Sequence, residues 1–473
     1  MDRLFVSAAH KSSGKTTTTI GLAAALRARG RAVQTFKKGP DYIDPMWLTR
    51  ASGRSCYNLD FNTQAAEEIR ATFAAETADA DFVLIEGNKG LHDGLDIDGR
   101  DSSAALARLL DAPVMLVVDV VGMTRGIAPL LMGYQAFDKT VTLAGVILNK
   151  VASPRQESKL RQAIERYTGL AVLGAVGRDP GVIVSERHLG LTTPDETQAS
   201  DHVVAAIRDR ITQSVDLDRI ADIARNARPL DWLSTGAGAG FFPPPDVRIA
   251  VARDAAFGFY YPDDLAALRR AGAELVFFDT MKDAAMPEAD GLLIGGGFPE
   301  THTARLAANA ALRADLAGRI RGGLPTYAEC GGLMYLTRSI AWRGETFPML
   351  GVVAADTVMQ ERPQGRGLVA VEETAEAPWR DPDHDAPPGT VIAAHEFHYA
   401  ALQDLDPATR FAYRVRRGHG IDGRHDGIVV ANTLASFVHL RDTARWHWAE
   451  RFVRHVRRQR GRGAAPRPVR ALG

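Results

Sequence analysis

Cysteine is nearly absent from this sequence: there are two in 473 residues, Cys56 and Cys330. That excludes a disulfide-stapled fold and a cysteine-rich zinc site. Neither charge sign is in excess, with 57 Lys plus Arg against 57 Asp plus Glu. A chain whose main task is to coat nucleic acid or an acidic membrane is therefore disfavoured. No uncharged apolar run of roughly 18 residues occurs, so no segment reads as a membrane span. The opening Met1-Asp2-Arg3-Leu4-Phe5-Val6 lacks the apolar stretch of a signal peptide. These absences predict a soluble, cytoplasmic protein with no nucleic-acid or membrane partner. What remains is ordinary for a globular chain, 45% hydrophobic and 24% charged. At about 150 residues per domain the length suggests two large domains or three smaller ones.

Short apolar runs alternate with helical stretches. Leu4 to Ser7 and Ala32 to Phe36 read as strands, and the continuous apolar runs Phe82 to Glu86, Val114 to Asp119 and Leu143 to Asn149 read as strands buried on both faces, as a parallel sheet requires. Thr16 to Arg29 reads as a helix closed by Gly30. The pattern predicts a doubly wound α/β domain over 1–228. Residues 229–246, rich in Gly and Pro, read as a linker. A second strand series from Val247 predicts an α/β domain over 247–455. Residues 456–473 read as a flexible Arg-rich tail, since from Arg451 onward there are eight arginines and no acid. The stretch Ala377 to Gly389 reads as a loop, either gating or merely solvated.

The segment Ser7-Ala8-Ala9-His10-Lys11-Ser12-Ser13-Gly14-Lys15-Thr16-Thr17 joins the first strand to the first helix. Gly14 lets backbone approach a phosphate, Lys15 can reach the β/γ-phosphates, and the Thr16 hydroxyl can bind Mg²⁺. The pattern Gly-x-x-x-x-Gly-Lys-Ser/Thr is broken, because Ala9 stands at its first glycine. The strand-loop-helix context still predicts nucleotide binding through Ser13, Gly14, Lys15, Thr16 and Thr17. Glu86, ending an apolar strand before Gly87, is placed to serve as a Walker-B carboxylate for Mg²⁺, directly or through water.

Leu324 to Met334 reads as a strand, a sharp turn carrying Cys330, and a helix start. This is a nucleophile-elbow layout with the thiol at a helix N-terminus. A thiol nucleophile needs a base, and His395, His398 and His439 are candidates, with His439 presented at the end of Leu434 to Val438. Gly295-Gly296-Gly297 follows another strand end, and the amides of Gly296 and Gly297 can form an oxyanion hole. His92, His395 and His398 also raise a metal- or haem-binding reading. A strand would point His395 and His398 to opposite faces, which disfavours it.

Several long motifs resemble the cobyrinic acid a,c-diamide synthase family. They are Lys37-Lys38-Gly39-Pro40-Asp41-Tyr42-Ile43-Asp44-Pro45, Asn58-Leu59-Asp60, Val251-Ala252-Arg253-Asp254 and Phe259-Tyr260-Tyr261-Pro262. Tyr327 to Leu336, His395-Glu396-Phe397-His398-Tyr399 and Ala435-Ser436-Phe437-Val438-His439 complete the set. The resemblance spans nearly the whole chain. It implies an N-terminal synthetase domain similar to dethiobiotin synthetase and a C-terminal domain similar to class I glutamine amidotransferases. It also implies that Cys330 attacks glutamine with His439 as base, and that ATP phosphorylates a tetrapyrrole carboxylate. Ammonia would then displace the phosphate. Lys37 would join Lys15 on the nucleotide, and Asp41, Tyr42, Asp44 and Asp60 would face the acceptor. The acid expected two positions after the histidine is missing, since Leu440-Arg441 follows His439.

Three departures from the family pattern are visible. Ala8, His10 and Lys11 alter the phosphate loop, Asn88-Lys89 replaces an apolar pair, and Lys38 stands where a small apolar residue is common. They leave open a sirohaem- or sirohydrochlorin-amidating branch. A reading from another class, a nucleotide-dependent switch, has to explain away Cys330 and His439. Whether the chain pairs as a homodimer stays open.

Overall fold

A computed structural model describes residues 1–178, 186–187, 190–197, 200–232, 242–380, 387 and 389–463. The chain divides into two compact units, Met1–Ala239 and Gly240–Gly473. Residues 233–241 of the stretch expected as a linker lie outside the described residues. So do positions 381–386 and 388 of the expected loop, and the tail beyond 463.

The first unit is built on β1 (Asp2–Ala8), β2 (Val33–Lys38), β3 (Tyr57–Leu59), β4 (Phe82–Glu86), β5 (Val114–Asp119), β6 (Leu143–Val151) and β7 (Val172–Gly177). They form one sheet in the order β3-β2-β4-β1-β5-β6-β7, parallel at every pairing. The continuous apolar runs are explained by this placement, since Leu4, Phe5, Val6, Val83, Leu84 and Ile85 are fully buried. α1 (Lys15–Ala28) leaves the C-terminal end of β1, and α2 (Ile43–Ser52) follows β2. β1 lies between β4 and β5, so the phosphate loop, Glu86 and the end of β2 emerge along the same sheet edge. Ligands of open α/β sheets bind at such carboxyl ends. A two-residue ribbon pairs β8 (Glu186–Arg187) with β9 (Gly190–Leu191).

The second unit contains β10 (Val247–Ala252), β11 (Ala273–Phe278), β12 (Gly291–Ile294), β13 (Thr326–Glu329), β14 (Ser339–Trp342), β15 (Glu345–Pro348), β16 (Asp356–Met359), β17 (Gly365–Glu373), β18 (Val391–His398), β19 (Ala400–Gln403), β20 (Arg410–Arg417), β21 (His425–Val430) and β22 (Thr433–Ser436). Nine of these form a mixed sheet, β11-β10-β12-β13-β22-β21-β20-β17-β18, and four form a second sheet, β15-β14-β16-β19. The α/β class expected for both halves is what the structure has.

The expectation of a flexible tail over 456–473 is corrected for residues 456–463. A helix runs over Trp448–Gly463, and Val456 is fully buried beside Phe452 and Val453. Its arginines are tied down as well. Arg451 pairs with Glu373 at 2.9 Å and Arg457 with Asp246 at 2.6 Å. The apolar stripe outweighs the charge run that suggested a solvated terminus.

Candidate functional site

Two groups of side chains assemble, one in each unit. In the first, Gly14 takes φ 90° as the loop enters α1. A Cβ there would lie 2.1 Å from Asn149 Nδ2, so glycine is required both by conformation and by space. Asn149 donates to the Ser13 carbonyl at 2.9 Å, and Tyr134 OH donates to the Ala9 carbonyl at 2.6 Å. The Ser13 hydroxyl donates to the His10 carbonyl at 2.8 Å. Ala9 thus keeps the loop braced although the first glycine of the pattern is missing. Thr17 is half-buried in the first turn of α1.

The Thr16 hydroxyl lies 2.7 Å from Glu86 Oε1 and 3.1 Å from Asp44 Oδ2. Lys37, at the end of β2, is buried among acids. Its ammonium pairs with Asp44, lies 2.7 Å from Glu86 Oε1 and 3.7 Å from Asp41. Burial opposes the Lys37 charge, but Asp44, Glu86 and Asp41 outweigh it and hold its pKa well above the usual lysine value. Lys15 is in the opposite position. Burial, then repulsion from Lys37, lowers it to about 8, and its Nζ donates to the Lys89 carbonyl at 2.7 Å. Burial, reinforced by Asp44, pushes Asp41 up to about 7. Burial also works against the charge of Asp44, yet Lys37 and Thr16 hold that carboxyl below its ordinary range.

Tyr42 occupies the N-cap position of α2. Asn58 fixes the loop before it by donating to the carbonyls of Gly39 and Asp41, both at 2.8 Å. Asp60 is different, because its oxygens accept from Asn62 N and Thr63 Oγ1, at 3.0 and 3.1 Å. Those bonds stabilise its own turn. The unusual residues Asn88, Lys89 and Lys38 do converge here. Lys38 reaches Asn88 Oδ1 at 3.3 Å, while Lys89 presents its carbonyl to Lys15. His92 stacks on Tyr134, 5.5 Å between centroids, and meets Phe137 edge-on at 4.8 Å, so it packs against the brace of the loop.

Among the described residues no three or more His, Cys, Asp or Glu side chains are arranged to hold a metal by themselves. Glu86 Oε2 is nonetheless buried with no hydrogen-bond partner, directly beside the Thr16 hydroxyl. Magnesium is commonly held by one or two carboxylates, waters and substrate phosphates. The hydroxyl and the orphaned carboxylate oxygen fit such a partial donor set.

In the second unit Cys330 stands between β13 and a helix over Gly331–Leu336, with φ 49° and ψ −100°. Such a backbone is costly for a residue with a Cβ. It turns the thiol off the sheet edge. Gly331 and Gly332 follow because side chains there would strike Pro299 at 2.9 Å and the Ile294 carbonyl at 2.3 Å. Cys330 lies against the His439 imidazole and favours its protonated form; β22 delivers that ring from the neighbouring strand. A Cβ on Gly296 would lie 2.7 Å from His439 Cε1, and one on Gly331 would lie 3.1 Å from Gly297 N. Gly296 and Gly297 therefore line the thiol–imidazole pair at close range.

Burial works against a charged His439, but Cys330, ahead of Glu329, outweighs it and pushes the imidazole up to about 10. His395 stacks on His439 at 4.9 Å between centroids. Burial, then His439 and Arg441, keep His395 far below the usual histidine value. His398 stacks on Phe437 at 4.0 Å. Both are packing partners of the segment that carries His439, and among the described residues neither takes part in a metal-holding group. Glu329, which the sequence reading did not single out, lies 3.4 Å from His439 Nδ1.

These arrangements define a class: a phosphate-loop nucleotide-binding unit and a glutamine amidotransferase-type unit carried on one chain. Residues 5–191 match the CobQ/CobB/MinD/ParA nucleotide binding domain family, and residues 248–445 match the CobB/CobQ-like glutamine amidotransferase domain family. The chain is 44% identical to the cobyrinate a,c-diamide synthase of Magnetococcus marinus, across 98% of this chain and 99% of that one. It is 37% identical to the enzyme of that name from Methanosarcina barkeri, over 98% of each chain. With that from Methanosarcina acetivorans it shares 38% identity over 93% of each. The chain belongs to the cobyrinate a,c-diamide synthase family. These relatives do not favour the sirohaem-amidating reading or the nucleotide switch.

Proposed function

We propose that the chain converts two carboxylates of cobyrinate to amides, using ATP to activate them and glutamine as the ammonia source. One observation carries the reading: a paired Cys330 and His439 and a phosphate loop backed by two buried lysines occur in the same chain. The relatives supply the acceptor. ATP and glutamine are both metabolites of the cytoplasm, which is where we place the reaction.

The residues divide the chemistry. Cys330, as thiolate, attacks the side-chain carbonyl carbon of glutamine, and the amides of Gly296 and Gly297 receive the developing oxyanion. His439, protonated, gives its proton to the departing ammonia. Water then hydrolyses the thioester to glutamate with His439 as base. In the first unit the Ser13–Thr17 loop receives the phosphates, with Lys15 and Lys37 offsetting their charge. Thr16 and Glu86 would hold Mg²⁺, which when bound adds positive charge against the β- and γ-phosphate oxygens. A carboxylate repels nucleophiles, so its oxygen first attacks the γ-phosphorus and ADP leaves. Ammonia then adds to the acyl carbon and phosphate leaves. Asp41, Tyr42, Asp44 and Asp60 are assigned to the acceptor side. Asp60 would act through the turn it holds.

The test is mass spectrometry of cobyrinate incubated with MgATP and either glutamine or an ammonium salt. The wild type is expected to add two amides from both nitrogen sources. Cys330→Ala is expected to add them from ammonium alone. A Cys330→Ala protein that still uses glutamine would sink the assignment of the thiol. A wild type that amidates sirohaem and leaves cobyrinate untouched would sink the choice of acceptor.

A further inference from the structure

The imidazole of a thiol–imidazole pair needs a partner on its far nitrogen to fix its tautomer and ring orientation. The segment after His439 offers none, because Leu440 and Arg441 follow. The partner comes from the other side of the thiol. Glu329, the last residue of β13, precedes Cys330 directly, yet its side chain reaches His439 Nδ1 at 3.4 Å. The strand register allows this, since β13 and β22 run parallel with Glu329 opposite Ser436. The backbone reversal at Cys330 sends the thiol and the carboxylate of adjacent residues to the same ring.

Glu329 is itself held by two further bonds. Its Oε1 accepts from Tyr327 OH at 2.5 Å and from Leu440 N–H at 2.9 Å. Tyr327 is fully buried and packs against Trp379 at 4.8 Å and Trp448 at 5.1 Å. The carboxylate is 7% exposed, so water competes little for it. A buried acid with both oxygens engaged at the edge of a thiol–imidazole pair is costly to maintain unless its charge is used.

We infer that Glu329 is the positioning residue for His439, supplying from the nucleophile's own strand the carboxylate that is absent after the histidine. It orients the imidazole with Nδ1–H toward Oε2, and it stabilises the imidazolium that faces the Cys330 thiolate. This rests on the glutaminase reading proposed above. The charged and titratable groups around His439 are Cys330, Glu329, His395 and His398, with Arg441 beside His395 and Tyr327 behind Glu329. Of these, only Cys330 and Glu329 favour the protonated ring. Removing the Glu329 charge therefore lets His439 lose its proton at lower pH.

The experiment compares wild type, Glu329→Gln and Glu329→Asp for glutaminase rate across pH, with ammonium-driven amidation as the measure of an intact fold. Glu329→Gln is expected to lower glutaminase kcat by roughly 10²–10³-fold. The alkaline limb of its profile should move down by about one pH unit or more. Glu329→Asp is expected to restore part of that limb, and ammonium-driven amidation should be unchanged in both. A Glu329→Gln protein with wild-type glutaminase overturns the inference. So does a fall in kcat with an unmoved limb, which would mark a purely structural role. Should Glu329→Gln fail to fold, nitrogen-labelled histidine in the wild-type protein gives the answer by NMR. The inference requires a slowly exchanging, low-field proton on His439 Nδ1, and its absence overturns the inference. A wild type without glutaminase overturns the parent reading, and the same proton then still decides the Glu329 contact.

Discussion

At the scale of single residues, the two buried lysines of the first unit have been given different tasks by their neighbours. Lys37 is enclosed by Asp41, Asp44 and Glu86 and stays charged. Lys15 faces a lysine and a carbonyl and titrates at about 8. A phosphate anion selects the protonated form, so nucleotide binding must fall as pH rises through that value. Calorimetric titration with a non-hydrolysable ATP analogue is expected to show about a tenfold weaker Kd at pH 9 than at pH 7. A Lys15→Met variant should bind weakly and lose that dependence. Lys15 was legible because Gly14, Lys15 and Thr16 are contiguous and sit between a strand and a helix. Glu329 was not, because a triad acid is expected shortly after the histidine. The acid precedes the nucleophile, and its reach to the imidazole exists only once β13 and β22 are neighbours. The motif around Asp60 points to the acceptor side, but that its oxygens close a turn is visible only in the structure.

Among the elements, the segment that delivers His439 depends on one buried carboxylate. Asp426, at the start of β21, accepts from the backbone N–H groups of Gly427, Phe437 and Val438 at 2.6, 3.0 and 2.8 Å, and it is fully buried. Asp426→Ala strands those three amides in a dry interior. It is expected to cost about 3 kcal/mol or more, read as a drop in denaturation midpoint, and to lower glutaminase activity more than nucleotide binding. An unaltered midpoint would show that water enters and replaces the carboxylate. The strands themselves were easy to read, since runs such as Phe82 to Glu86 are apolar without interruption. The C-terminal helix was not, because Phe452, Val453 and Val456 are set among arginines. The charge run hid a stripe whose spacing fits a helix.

For the whole molecule, the sequence announced two α/β halves through the break in pattern near residue 229, and each half carries its own sheet and its own group of reactive side chains. The second unit holds thiol, imidazole and carboxylate together. A fold normally relaxes toward the backbone geometry its residues prefer, and at position 330 that preference is overruled. With φ 49° and ψ −100°, glycine would occupy this turn with less strain than cysteine, at some loss of chain entropy. Cys330→Gly is expected to be about 1 kcal/mol more stable than the wild type, read as a higher melting temperature, while hydrolysing no glutamine, and a lower melting temperature would contradict this. A laboratory population evolved only to survive heat would accordingly drift toward disarming itself at this position, so any search for hardier variants must screen for ammonia release in the same round.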